Sequence, residues 1–335
     1  MVKKETAPPD GHEPGRRRRR SLSAEIRAPL LTAAVIVLLL LTSLIDMRLT
    51  RENENFAVIL LQLLIFLLPA AAFLYLTGSS LSGLRIRPVG LGHMFLMLAA
   101  LLAMLSSSIA LDLTCAGYGS LSDSYDLFGI FVSKPDGSVG DGVYLVIAYA
   151  GLPAFCEEFL FRAVLTAEYE KKSTFAALVM PSLFFAMLHL DVAHFPALFI
   201  SGLILSLTLY ATRSVIAPFV VHFCYNLISL FGRPIFRTLY DLGGEKLFIF
   251  TVNAVFLLSG FLFCSEAARL YRGYSDKNLS SAYRETPARD EDARAQTSVA
   301  KMFSAKYPRA AAALTALFSP TALAVYVLYA AAVIF

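Results

Sequence analysis

Apolar residues in this chain do not alternate with polar ones; they come in long runs. Stretches of near-spanning length recur at 28–45, 56–77, 91–111, 142–167, 174–190, 195–211, 214–231, 247–265 and 310–334. A helix needs about 20 mostly apolar residues to cross the hydrocarbon core of a bilayer. Only helices and closed barrels satisfy their backbone hydrogen bonds there. The pattern predicts an all-α fold, a polytopic transmembrane helical bundle of about eight or nine spans, with the fifth to seventh the shortest. Residues 1–27, with Pro8, Pro9, Pro14 and Arg16 to Arg20, read as a disordered basic cytoplasmic tail. The first apolar run follows this basic stretch as in a signal peptide, but it is long for one and no small-residue cleavage site follows, so it reads as an uncleaved span. Residues 28–269 form the transmembrane domain, 270–309 a polar cytoplasmic connector and 310–335 a C-terminal transmembrane helix.

Composition supports the pattern. Of 335 residues, 57% are hydrophobic and 16% charged, whereas soluble domains carry about 25% charged residues. An ordinary water-soluble enzyme is excluded. The net charge of +4 belongs to residues 1–27, where eight Lys and Arg face four acids; the remainder balances. This basicity is a tail property and not a nucleic-acid-binding face. Lys and Arg mark cytoplasmic loops. They place the N-terminus, the loop with Arg85 and Arg87, the Lys171–Lys172 turn, Arg213 and the 270–309 connector on the cytoplasmic side of a cell membrane. The acidic loop 112–141 falls outside, and Arg233 and Arg237 are exceptions to the alternation. Cys115, Cys156, Cys224 and Cys264 show no disulfide or CxxC spacing. No internal repeat supports an inverted-repeat transporter, and the oligomeric state is left open.

Chemistry concentrates in the fourth run, GLPAFCEEFLFRAVLTAEYEKK from Gly151, the one that carries charge within its apolar stretch. Each charge at membrane depth costs about 2.5–3.5 kcal/mol on insertion scales. Glu158 and Arg162 are i and i+4, on one helix face and in the favourable order. Glu157 is turned about 100° away, with no base at 160 or 161. The arginine neutralises Glu158 and leaves Glu157 uncompensated, which suits a general base. A structural ion pair joining helices is the alternative role for Glu158 and Arg162.

The fifth run places Phe185 and His189 at i and i+4, and the seventh places His222 and Asn226 likewise. Counted from the Lys171–Lys172 turn, Glu157 and His189 both lie about 22–26 Å away along their helices, whereas His222 and Asn226 lie only about 14–20 Å from Arg213. Packing or interhelical hydrogen bonding would equally account for such residues taken singly. As a set, a water held by Glu157 and His189 could attack a carbonyl while His222 and Asn226 donate to the oxyanion. The same Glu and His residues could instead bind zinc, although the HExxH signature is absent. His194, beside Pro196, reads as structural.

EEFLFR (157–162), FAMLH (185–189) and HFCYN (222–226) resemble, in order, the EExxxR, FxxxH and HxxxN motifs of the CPBP family, the CAAX protease and bacteriocin-processing or Abi proteins. The resemblance covers about residues 142–231. It implies an intramembrane endopeptidase of the type II CAAX prenyl protease kind with a glutamate-dependent, metal-free mechanism and no cofactor. By motif position Glu157 matches the catalytic base, His189 its water-activating partner, and His222 with Asn226 the oxyanion pair. Glu158, Arg162 and Phe185 match structural positions at the site. The implied partners are membrane lipids and a membrane-associated peptide or lipidated protein, a prenylated tail among the candidates. A non-catalytic scaffold retaining the motif fold, a zinc-dependent protease and an ion transporter are the competing readings.

Overall fold

The computed structural model describes residues 24–42, 54–79, 84–116, 139–276 and 308–334. Every regular element among them is a helix. In chain order these are α1 (Ala24–Thr42), α2 (54–77), α3 (Met94–Ala116), α4 (139–170), α5 (Thr174–Leu188), α6 (Phe195–Thr212), α7 (Ile216–Phe231), α8 (Arg233–Asp276), α9 (Pro308–Leu317) and α10 (Pro320–Ile334). Most of the basic tail, the acidic loop 117–138 and most of the polar connector lie outside the described residues.

All nine apolar runs are helical, but they are not alike. Five helical stretches, Phe56–Thr77, Leu91–Leu111, Gly142–Glu170, Phe195–Thr212 and Pro234–Tyr271, are long and apolar enough to cross a membrane. Ala311–Leu317 and Pro320–Ile334 make a sixth if taken together, but they are bent by 46° at the break. Ile26–Thr42, α5 and α7 are apolar and shorter. The run expected at 247–265 is part of the 44-residue α8, which continues past Arg269 to Asp276 and kinks at Gly244, where φ is +66°. Lipid-facing character is plain on α8, where Phe250, Leu257 and Phe261 are exposed.

Two helices depart from α geometry, and their prolines explain part of it. In α2 a π-helical turn, Leu63–Leu67, stands just before Pro69, and in α4 another, Val146–Gly151, stands just before Pro153. Proline has no N–H to close the ordinary i→i−4 bond, and local widening to i→i+5 bonds absorbs the break. A third π stretch in α4, Phe159–Leu165, directly follows the two glutamates. There the Thr166 hydroxyl donates to the Phe161 carbonyl at 2.9 Å.

The helices pack around two main apolar clusters. One joins α1, α2, α4, α5 and the α9–α10 pair around Phe161, Met180, Phe184 and Leu165. The other joins α3, α6, α7 and α8 around Leu96, Met104, Leu205 and Phe263. Small residues let α3 and α8 approach closely, with Ser106 and Ser259 hydroxyls 3.4 Å apart. The charged residues of α4 meet α7 where these two clusters adjoin.

At the opposite end of α4, residues 84–90 tie three helix ends together. The Arg85 guanidinium donates to both oxygens of Glu170 at 2.6 and 2.8 Å and lies 5.5 Å from the Tyr210 ring centroid. The Arg85 carbonyl accepts from the Val215 amide at 3.1 Å, and the Ser214 hydroxyl donates to the Arg87 carbonyl. Arg85 and Arg213 both hold left-handed backbone, with φ of 56° and 57°, a conformation that costs a non-glycine residue free energy. We expect Arg85→Ala to lower the stability of the folded protein by about 1–2 kcal/mol, the scale of a charge-assisted, partly buried pair. Thermal denaturation in detergent micelles checks this; an unchanged midpoint contradicts it.

Candidate active site

The site is built where α7 runs antiparallel to α4. Phe219, His222, Phe223 and Asn226 share the α7 face that meets α4. The Phe219 ring packs edge-on to Phe155 with centroids 6.3 Å apart, and the Asn226 amide donates to the Ala150 carbonyl at 3.4 Å. Between these contacts His222 Nδ1 lies 2.9 Å from Glu158 Oε1. On the far side of α7 the Tyr225 hydroxyl donates to Ser108 of α3 at 3.0 Å.

Glu158 Oε1 accepts a second hydrogen bond, from Arg162 Nη1 at 3.0 Å. Glu158 and Arg162 are each 1% exposed, so this is a fully buried ion pair one helical turn long. The guanidinium has further support. Its Nη2 donates to the Gly202 carbonyl of α6 at 3.2 Å, and its Cζ lies 4.7 Å from the Phe185 ring centroid, a cation–π distance. Phe185 also packs edge-on to Phe161 and to His222, at 5.3 and 5.7 Å. Buried charges persist when they are paired and hydrogen-bonded, and four helices (α4, α5, α6 and α7) share the work here.

Glu157 is treated differently by its surroundings. It is buried, and its Oε2, like that of Glu158, has no hydrogen-bond partner. Among the described residues it makes no hydrogen bond or ion pair with Arg162, His189 or His222. His189 caps the C-terminus of α5 and is exposed. Its Nδ1 lies 2.7 Å from the Phe185 carbonyl, and its ring packs 4.7 Å from that of Phe185. The structure thus brings Glu158, Arg162, Phe185 and His222 into direct contact, joins His189 to them through Phe185, and sets Asn226 one turn beyond His222.

The two imidazoles share a tautomer. A carbonyl and a carboxylate can only accept hydrogen bonds, so Nδ1 carries the proton in His189 and in His222. Both rings therefore turn Nε2 outward from these bonds. Among the described residues no group of three or more His, Cys, Asp and Glu converges as metal ligands.

Counting residues sets His222 one or two turns shallower than Glu157, yet it bonds to the adjacent Glu158. The π stretch 159–165 lies between Glu158 and the Lys171 turn, and i→i+5 turns climb less per residue than α-helical ones. His194, expected to be structural, pairs with Asp191 at 2.6 Å, and its amide donates to the same carboxylate at 3.1 Å. Sequence reasoning assigns no role to Gly202, and it marks the 84–90 segment only as a loop carrying Arg85 and Arg87. Gly202 and Ser206 do form a small-xxx-small spacing, the pattern of close helix approach.

An apolar bundle of helices holding a buried carboxylate–guanidinium–imidazole cluster is a membrane protein with a built polar site. Residues 140–228, which carry every group just described, match the family model described as Type II CAAX prenyl endopeptidase Rce1-like. This stretch, about a quarter of the chain, is similar to the CAAX protease (CPBP) family of peptidases. No curated protein and no solved structure matches the chain.

Two outcomes test this geometry. Removing the guanidinium leaves Glu158 buried without its cation, so Arg162→Ala should cost on the order of 3–5 kcal/mol of stability, seen as loss of the folded species in denaturant titrations of micellar protein. At the α5–α6 loop, burial pushes the Asp191 carboxyl up, but the hydrogen bonds from the His194 amide and ring outweigh it and hold Asp191 below its ordinary value. A depressed carboxylate stabilises above its unfolded-state pKa and ceases to do so as pH falls through its folded-state one. Protection of the His194 amide, corrected for intrinsic exchange, should therefore fall below about pH 4 and should be weak at every pH in Asp191→Asn.

Proposed function

We propose that the protein is a glutamate-dependent intramembrane endopeptidase that hydrolyses peptide bonds of a membrane-associated substrate. One observation carries this reading: of two adjacent buried glutamates, Glu158 is ion-paired to Arg162 and hydrogen-bonded to His222, while Glu157, among the described residues, makes neither contact. An uncompensated carboxylate in an apolar site is costly unless it is used.

In this reading a water molecule donates one hydrogen bond to Glu157 and the other to His189 Nε2. Glu157 takes the proton as the water oxygen attacks the scissile carbonyl carbon, giving a tetrahedral oxyanion. His222 supplies an N–H to that oxyanion from Nε2 when its ring carries both protons, with Nδ1–H held on Glu158, and the Asn226 amide supplies the second donor. Collapse breaks the C–N bond, and the proton on Glu157 passes to the departing nitrogen. A carboxylic acid and an amine are released, the acid giving its remaining proton to the amine or to water on leaving, and Glu157 is regenerated. No step uses a metal ion.

The proposal extends to topology and substrate. The three short apolar helices cross as well, giving nine crossings in the cell membrane with the N-terminus cytoplasmic, as the distribution of Lys and Arg among the loops favours. The family description refers to prenyl endopeptidases, so a prenylated C-terminal tail is the first substrate to assay. Glu157→Gln keeps size and polarity and should lower kcat/KM by about 10²–10⁴-fold with membrane insertion unchanged. A non-catalytic scaffold would keep its partner-dependent phenotype in the same variant, and retained cleavage would refute the role of Glu157.

A further inference from the structure

We infer that Gly202 is a positioning residue for the site: its missing side chain lets α6 come close enough to hold Arg162, and through Arg162 and Glu158 it orients His222. The inference rests on the peptidase reading for its effect on turnover, but not for its effect on the imidazole.

A Cβ placed on Gly202 would lie 3.0 Å from both Cα and Cβ of Ser182 and 3.1 Å from its carbonyl oxygen. Two of the three nearest atoms are backbone, which cannot rotate away. A methyl at this position therefore pushes the α5–α6 contact apart by a few tenths of an ångström. The Ser182 and Ser206 hydroxyls lock it one turn further along, 3.1 Å apart, and Ser182 also donates to its own helix at the Leu178 carbonyl. The Gly202 carbonyl is 3.2 Å from Arg162 Nη2. The same guanidinium donates through Nη1 to Glu158 Oε1, which accepts from His222 Nδ1.

The guanidinium is planar and its donors sit in a fixed fork. A shift of the carbonyl that holds Nη2 consequently turns Nη1 away from Glu158. Arg162 Nε is buried without a partner, so no third hydrogen bond at that atom keeps the fork in place. The Phe185 ring centroid lies 4.7 Å from the guanidinium carbon and packs edge-on to the His222 ring, so a displaced guanidinium also meets the aromatic side chain beside the imidazole. Gly202 thus acts on His222 through three hydrogen bonds in series, without touching substrate.

The test reads the imidazole directly. The chain has five histidines, so ¹⁵N-histidine labelling of the full-length protein in lipid nanodiscs resolves each ring, and His222→Gln identifies its signal. In Gly202→Ala the His222 Nδ1–H resonance should lose its carboxylate-bonded position while that of His93, just before α3, is unchanged. Turnover should fall about tenfold in kcat, with KM for a cleaved peptide unaltered. Ser182→Gly in the Gly202→Ala background should move both only part of the way back, because it removes one of the three atoms the new methyl meets and leaves Ser182 Cα and its carbonyl oxygen in place. A His222 resonance in Gly202→Ala identical to wild type overturns the inference, as does a perturbed resonance with unaltered kcat. If Gly202→Ala fails to accumulate, the double variant carries the test: a displaced His222 signal with lowered kcat supports the inference, and wild-type signal and turnover refute it. Should the wild-type protein cleave no peptide while the ring responds as expected, the peptidase reading falls and the positioning of His222 by Gly202 stands.

Discussion

The site depends on one buried guanidinium. Arg162 is held by a carboxylate on its own helix, a backbone carbonyl on α6 and an aromatic face on α5, and what it neutralises is in turn bonded to α7. Placing such a charge in an apolar bundle is unfavourable unless its hydrogen bonds are made, so the four helices are obliged to assemble around it in one arrangement. Apolar packing alone is permissive, since helix against helix in lipid has little hydrophobic drive to choose a register. The hydrogen bonds from Arg162 and His222 supply the specificity that packing lacks.

Neutralising Glu158 also creates the asymmetry on which function rests. Two successive glutamates on a helix point about 100° apart, so a single arginine four residues on can pair with only one of them. The second, Glu157, is left buried with an oxygen unpartnered. The π stretch that begins at Phe159 changes how far the rest of α4 climbs and brings Glu158 level with His222 on α7. At the Glu170 end of α4, the 84–90 segment fixes where α7 begins by bonding to residues 214 and 215. The position of His222 is set from both ends of the four-helix group.

Much of this was readable from the chain. The nine apolar runs are all helical, and the i, i+4 spacing of Glu158 and Arg162 correctly anticipates their ion pair. Three features were not readable, each for a definite reason. Helix counting assumes a constant rise, and the π stretch 159–165 violates it, so the glutamates of α4 came out too deep relative to His222. The long α8 and the broken α9–α10 pair depend on the kink at Gly244 and on Ser319, whose hydroxyl accepts from the Ala322 amide at 3.2 Å, and apolar runs report neither. Gly202 escaped notice because a glycine in an apolar helix has many uses, and only the 3.0 Å clearance to Ser182 reveals which applies.

The central claim is that an uncompensated glutamate, and not a bound metal ion, activates water in this fold. Cleavage of a membrane-embedded peptide library by the purified protein, before and after exhaustive chelation, tests it most directly. The account predicts that cleavage persists at the same rate once divalent metal has been stripped. Loss of cleavage on chelation, with recovery on adding zinc back, would contradict it.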